Sequence, residues 1–574
     1  PALLENGEHF FRKYGSMSVF IGRFVGPVRA LVPLVAGMLG LKPVRFYIAN
    51  IVSAIGWAPA YMLPGILLGA ASLELPTDVA VHVIFMLFVT IFLIMFIIWF
   101  IQKMFRLIGK HIDKALTQRW IHMTNSAFFK PVTQLLKHHD HQKSHGQLIL
   151  TTWFIVLGCA LLYLLIYVMF EGSQHIAIND IVFHFFRSIR TPSRDNIMLA
   201  LTFLGDKKVL LPVMVILFGW LIFRKYTYTA WHVLALGILA AGGIEILKLL
   251  AHSSRPWGLV HNSESFSFPS GHTTLTVIFY TGLTLLLMQL AHIKHRRFIY
   301  YLLTLFILAV SASRLYLGVH WFTDVLGGWL LGSSVLLLVA ISYNRQKNEN
   351  IKPGELLSVA LIALILCYGQ YALRHFNSFK QDYALLERPV VTLSQDAWWL
   401  QQGKNLPFYR TNRFGLSTQI LNLQWLGSLT DIENILLTNG WQIPPKNDWI
   451  DVLHRLSDVN STEHLPLVSP IYLDKKPALT LVKWIQGGKK LVVLRLWESR
   501  IVIQNAAWPL QVGSVEVVPR TYSWLFKRKA TAIALTPVLL FTHMPANYEV
   551  KEITVHLNSS FHPRTQYMLL IKPK

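Results

Sequence analysis

Three short polar runs interrupt an otherwise apolar stretch between Lys248 and Asp324. The first is Lys248 with Arg255-Pro256, the second Pro269-Ser270-Gly271-His272, and the third Ser313-Arg314 followed by His320 and Asp324. These residue types can hold and cleave a phosphate ester without a metal. Arg255 and Arg314 offer planar forks that match pairs of non-bridging oxygens, and Lys248 adds a point charge. Ser270 and the Gly271 amide can donate further hydrogen bonds, with glycine letting the backbone come close. A helix beginning at His272 would turn its free N–H groups toward the anion. Two imidazoles divide the chemistry: one has to attack phosphorus while neutral, and the other has to protonate the leaving oxygen. Asp324 stands four residues after His320, which on a helix puts both on one face. There it can accept the imidazole N–H, fix the tautomer and stabilise the cation formed on attack. Glu245, an acid inside an apolar span one turn before Lys248, is expected to pair with the ammonium and hold it in place. Helix-end residues snorkelling to lipid headgroups would explain one such run, but not three with complementary chemistry.

The elements that must position these residues are membrane-spanning helices. Of 574 residues, 53% are hydrophobic and only 14% charged, too apolar for an ordinary soluble enzyme and suited to several spans plus a soluble part. Core spans read near 148–170, 209–223, 230–250, 272–291, 298–318 and 321–342, with 171–208 as a loop carrying a surface helix. Two earlier spans read near 45–70 and 79–101, and a last one near 355–372. The expected fold class is mainly α: a multi-pass bundle with a six-helix core and a C-terminal soluble α+β domain. The formal charge of +24 sits largely in short loops, which reads as membrane topology rather than nucleic-acid binding. The turns Arg224-Lys225, Lys294 to Arg297 and Arg345 to Lys352 are basic, as is 102–147. If all four are cytoplasmic, the three polar runs fall together at the outer ends of their helices.

Cysteine usage, Cys159 and Cys367 in apolar runs, leaves no disulfide framework or Cys-based metal site beyond that one pair. His138, His139, His141 and His145 lie in the basic stretch 102–147, where no carboxylate or Cys completes a metal set. That stretch reads as a solvated linker. No metal and no cofactor are expected. The chain opens at Pro1 and reads as beginning mid-protein, which leaves no signal peptide to judge.

Beyond residue 372 apolar and polar residues alternate, as in Ala478 to Trp484 and Leu491 to Leu496, split by Gly487-Gly488. Thr430 with Glu433 reads as a capping box opening a helix that ends at Asn439-Gly440. The span count places this α+β domain outside. His454, His464 and His543 show no ligand spacing, so it reads as an accessory domain or as one that docks a partner, for which an envelope protein is the candidate. At the other end, Gly22 to Arg29 and the following Leu31-Val32-Pro33 form an apolar tract broken by two prolines and carrying Arg23 and Arg29. A re-entrant segment within a protein cavity and a loop beside the bilayer both fit it.

In their order and spacing the three polar runs resemble the signature of the phosphatidic acid phosphatase type 2 superfamily, over about residues 148–342. The resemblance implies that His320 is the nucleophile that forms a phosphohistidine and that Asp324 orients it. It makes His272 the general acid for the leaving group and later the base for water. Lys248, Arg255, Ser270, Gly271 and Arg314 would bind the phosphate. The N-terminal tract, continuing through Asn50 to Gly56-Trp57, resembles the second half of a DedA-family domain, with Arg23, Pro27 and Arg29 on its arginine–proline motif; the acidic first half of that family is absent. The last domain is similar to the LssY carboxy-terminal domain.

The implied organisation is a partial DedA-like membrane segment (1–101), a basic cytoplasmic linker (102–147), the phosphatase core (148–342), a linker and last transmembrane helix (343–372) and a periplasmic LssY-like domain (373–574). The implied activity is a lipid phosphatase of the bacterial inner membrane with a periplasmic active site. Undecaprenyl diphosphate leads as substrate, and phosphatidic acid or phosphatidylglycerol phosphate follows. Its partners are that lipid phosphate and membrane lipids, not nucleic acid. Two other classes stay open. One is a DedA-type lipid carrier transporter whose phosphatase core tethers substrate; the other is a vanadate-dependent haloperoxidase, which has a similar anion site but is soluble.

Overall fold

The computed structural model describes residues 144–260, 266–290, 296–346, 349–386, 390–400, 408–444, 470–473, 475–485, 490–519, 541, 544–556 and 565–574, with scattered residues between 38 and 136. Most of the expected segment 1–101, with Arg23, Pro27 and Arg29, and more than half of the linker 102–147 lie outside the described residues. So do Gly487-Gly488, His454, His464 and His543.

Helix α1 (Ser144–Glu171) opens the bundle. Where one surface helix was expected there are two, α2 (Ala177–Ser188) and α3 (Pro192–Phe203). Thr191 separates them: its extended backbone stops one helix, its hydroxyl accepts Arg194 N–H, and Pro192 pre-sets the first turn of the next. Then follow α4 (Lys207–Phe223), α5 (Thr227–Ala251), α6 (Gly271–Leu290, with a π turn at Val277–Thr281), α7 (Arg296–Tyr316), α8 (Phe322–Tyr343) and α9 (Pro353–Asp382). All of these but α4 are, like α1, long and apolar enough to cross a membrane, and the chain is a multi-pass membrane protein. α4 has 17 residues and rises about 25 Å at 1.5 Å per residue, short of a bilayer core of about 30 Å. α9 runs on past residue 372, where the apolar stretch ends. Hydropathy registers only the part facing lipid, while the backbone ladder continues through Phe376 and Phe379 to Asp382.

α8 sits inside the bundle, packed on α1, α5 and α6. Its glycines permit this. A Cβ at Gly328 would come 2.9 Å from Ser270 O, and one at Gly332 would come 2.9 Å from Val277 Cβ. Only small residues allow two helices this close, and the approach fixes the start of α6 against α8.

Past α9 come β1 (Val391–Leu393), α10 (Gln395–Trp399), β2 (Tyr409–Thr411), β3 (Ser417–Ile420), β4 (Leu423–Leu426), α11 (Leu429–Thr438), β5 (Leu479–Ile485), β6 (Lys490–Glu498), β7 (Ile501–Ile503), β8 (Leu510–Pro519), β9 (Tyr548–His556) and β10 (Thr565–Pro573). Six strands form one sheet in the order β5-β6-β8-β4-β10-β9, parallel only at β4–β10. α11 covers it, burying Ile432 and Leu436 against Leu423, Trp425, Leu494 and Leu569. The α+β class is as expected, but the cap of α11 is not. Ser428 has extended backbone and accepts Asp431 N–H at 3.4 Å, whereas Thr430 already lies within the helix. The expected end is present: Asn439 is the C-cap, and Gly440 follows at φ 80°.

Among the described residues this domain touches the bundle at two places. The β2–β3 turn stacks Phe414 on Phe185 of α2, with ring centroids 5.9 Å apart, and Arg413 donates to Ser188 O. The stretch after α9 pairs with the loop after α5: Val260 N–H donates to Ala384 O at 3.0 Å and Leu386 N–H to Gly258 O at 2.8 Å.

Candidate active site

The polar runs meet at one end of the bundle. α5 closes on His252, in left-handed conformation at φ 45°, whose N–H returns to Lys248 O. This turns the chain across the helix ends. Lys248 lies in the last turn of α5 with Nζ 3.9 Å from Glu245 Oε1. The expected pair is therefore present, though long and with the carboxylate largely exposed. Arg255 follows in the loop and donates from Nη1 to Val319 O at 2.9 Å. Arg314, in the last turn of α7, is buried; its Nη1 donates to Thr202 Oγ1 at 2.6 Å, its guanidinium lies 5.7 Å from the Tyr383 ring, and its Nε has no partner among the described residues.

α6 starts at Gly271, one residue before the expected His272, because Ser270 is its cap. Ser270 Oγ accepts from Thr273 N–H and Oγ1–H, so its own proton remains to give to an anion. Ser270 N–H donates to Asp324 O at 2.9 Å and ties the starts of α6 and α8 together. The first turn of α4 joins them through Asp206. The starts of three helices thus lie together; those of α4 and α8 carry the carboxylates of Asp206 and Asp324, while α6 is capped by the neutral Ser270 and its start favours an added anion.

His320 and Asp324 do not share a helix face, contrary to the expectation. α8 begins only at Phe322, after an extended Trp321. The pair forms because Asp324, in the first turn, reaches backward. Its Oδ2 accepts Trp321 N–H at 2.8 Å and lies 3.2 Å from His320 Nδ1. Its Oδ1 accepts Ser267 Oγ–H at 3.4 Å, and buried hydroxyls continue from there through Ser253 to Ser173 at 2.8 and 2.6 Å. With Nδ1 committed to Asp324, Nε2 is the nitrogen free to attack. Burial, and then the positive charges of Arg255 and Arg314, hold His320 well below the ordinary imidazole range. That favours the neutral ring, the form in which an imidazole can act as a nucleophile.

His272 has a carboxylate of its own. Its Nε2 lies 3.3 Å from Asp206 Oδ2, an ion-pair distance without the alignment of a hydrogen bond. Asp206 caps α4, with Oδ1 accepting Lys208 N–H at 2.8 Å, and its Oδ2 accepts Tyr371 O–H from α9 at 3.3 Å. Burial alone would raise this carboxyl, but His272, Lys208 N–H and Arg314 outweigh it and hold it below the usual carboxylate range. Among the described residues, no group of three or more His, Cys, Asp or Glu side chains could hold a metal ion.

Sequence reasoning placed Lys248, Arg255, Ser270, Gly271, His272, Arg314, His320 and Asp324 at one site, and the structure brings them together. It missed Thr202, Asp206, Ser267, Tyr371 and Tyr383. An Asp after Gly205, followed by Lys207-Lys208 and an apolar run from Val209, is a legible cap signal for Asp206; what the second oxygen of that cap meets is a matter of packing alone.

A family model described as the PAP2 superfamily matches residues 229–348. Phosphatidylglycerophosphatase B of Bacillus subtilis is 35% identical over 159 residues, covering 26% of this chain and 76% of that protein. The chain belongs to the PAP2 superfamily. Other matches complete the expected three-part order: a VTT domain model matches residues 2–67, and an LssY C-terminus model matches residues 403–531. An undecaprenyl-diphosphatase of Sulfolobus acidocaldarius is 29% identical over 194 residues, 32% of this chain and 88% of that protein. Inner membrane protein YabI of Escherichia coli is 50% identical over 70 residues, 12% of this chain, and the chain spans only 28% of its length. Thr202 and Asp206 on one side, and Tyr371 and Tyr383 on the other, lie outside the PAP2 match.

Proposed function

We propose that the chain is a lipid phosphatase that works without a metal and through a phosphohistidine. One observation carries this: Lys248, Arg255 and Arg314 converge with two carboxylate-paired imidazoles where three helices begin. The phosphate oxygens are held by the two guanidinium groups, the ammonium, Ser270 and the Gly271 amide. His320 Nε2 attacks phosphorus, Asp324 stabilises the imidazolium that forms, and the leaving oxygen takes a proton from His272. Water then gives a proton back to His272 and attacks the phosphohistidine, releasing inorganic phosphate and restoring both rings.

Undecaprenyl diphosphate is the substrate we favour, with phosphatidylglycerol phosphate or phosphatidic acid next. The names of two relatives similar to this core support that choice. So does the VTT match at the N-terminus, if one chain joins dephosphorylation of a carrier lipid to its return. Basic turns on the opposite helix ends support an inner-membrane protein with the site and the last domain in the periplasm. The test is phosphate release from a panel of lipid mono- and diphosphates by purified protein, with His320→Ala as the blank. Release from none of them, together with movement of lipid across vesicles, would instead support the carrier transporter with a tethering core.

A further inference from the structure

We infer that Asp206, steadied by Tyr371 from the last helix, is the positioning residue for His272. The inference rests on the proposed phosphatase reading and assigns a role that lies outside the stretch matched to the family. A cap for α4 needs only one oxygen of Asp206, and Lys208 N–H takes Oδ1. The other oxygen is turned to His272 Nε2 and the Tyr371 hydroxyl, inside a buried site. The turn that carries Asp206 is held against α6 from two sides. A Cβ at Gly205 would come 2.6 Å from Thr276 Oγ1 and 3.1 Å from His272 O. The Tyr280 hydroxyl donates to Leu204 O at 3.0 Å. Glycine is therefore what lets the 204–206 turn lie on the first turn of α6.

The chemistry gives this arrangement its purpose. A proton-donating imidazolium set among Arg255, Arg314 and Lys248 is surrounded by like charge, and Asp206 is the anion beside it. With Nε2 turned to Asp206, Nδ1 is the nitrogen left to give its proton to the leaving oxygen and to take one from water. Tyr371 donates to the same Oδ2, so it fixes where that oxygen points. Each imidazole of the site would then have its own carboxylate, one local and one recruited from another helix.

The test replaces Asp206 by Asn, which keeps the shape and caps helices as well as Asp does, so α4 retains its start while the charge is lost. Turnover is compared on a lipid monophosphate such as phosphatidic acid, whose alkoxide leaving group needs the proton, and on nitrophenyl phosphate, whose phenolate needs it less. Asp206→Asn should lose about 10²-fold in kcat on the lipid, at the lower end of what general-acid catalysis supplies, with clearly less lost on nitrophenyl phosphate and KM nearly unchanged. Combined with His272→Ala it should cost little beyond His272→Ala alone, as for groups acting as one unit. Asp206→Glu should recover part of the loss. Tyr371→Phe, which leaves both charges in place, should show the same selectivity for the lipid at about a few-fold. Equal losses on both substrates, or full additivity with His272→Ala, would overturn the role while leaving the phosphatase reading intact. An active His320→Ala enzyme would overturn both.

Discussion

His320 takes its carboxylate from four residues further along the chain, whereas His272 takes Asp206 from the start of another helix. The first pair is closed: Asp324 is fully buried, and backbone N–H, hydroxyl and imidazole use both its oxygens. The second is assembled from α4, α6 and α9 and keeps an imidazole nitrogen without an aligned partner. A nucleophile must present one lone pair in one direction through the whole cycle, and a locally built pair gives that rigidity. An acid that becomes a base has to gain and lose a proton, which a looser pair permits.

The comparison breaks most sharply at His320. In the proposed mechanism its imidazole makes the bond to phosphorus, so His320→Ala should abolish turnover of lipid phosphate and nitrophenyl phosphate alike; residual turnover on either would end the phosphohistidine mechanism. Next comes Asp324→Asn, which leaves the ring but spoils its tautomer. A loss approaching 10⁴-fold on both substrates is expected by analogy with other His-orienting carboxylates, and steady-state kcat measures it. His272→Ala should cost about 10²–10⁴-fold on the lipid and clearly less on the nitrophenyl ester. Equal costs there would show that the two histidines do not divide the work.

Two smaller effects sharpen the same contrast. Both pairs must open to one side of the membrane. In a variant with Cys159 and Cys367 replaced by Ser, a cysteine at the exposed Val260 should react with an impermeant thiol reagent in outer-permeabilised cells, and one at Lys294 should not. Reversed labelling would place both histidines in the cytoplasm. EDTA should leave the rate unchanged while vanadate, which can mimic the pentavalent phosphorus, inhibits. Loss of turnover in EDTA and its return with magnesium would show that the imidazoles do not act alone.

Much of this was legible because it is local. The polar runs stand out against apolar sequence, and the four-residue step from His320 to Asp324 survives even though no helix joins them, since the carboxylate curls back to the Trp321 amide. The pairing of Lys248 with Glu245 was legible for the same reason. Asp206 was not, because nothing in the chain next to it says that Gly205 will lie on the first turn of α6. Nor was Tyr383, whose ring meets Arg314 only because α9 continues beyond its apolar stretch. The split of 171–208 into two helices turned on one residue, Thr191, in a stretch with little periodicity to read.

The short pairing of Gly258 and Val260 with Ala384 and Leu386 bears on the order in which the protein is made. The loop that carries Arg255 emerges from the ribosome long before the strand that completes its hydrogen bonds. Until α9 has been threaded into the bilayer and its end released, that loop lacks its edge partner, Arg314 lacks the Tyr383 ring, and Asp206 lacks the Tyr371 hydroxyl. The anion site is therefore finished late in synthesis, by the same piece of chain that begins the last domain. A gene shortened to the PAP2-matched stretch would encode every residue of the polar runs and still leave their surroundings incomplete.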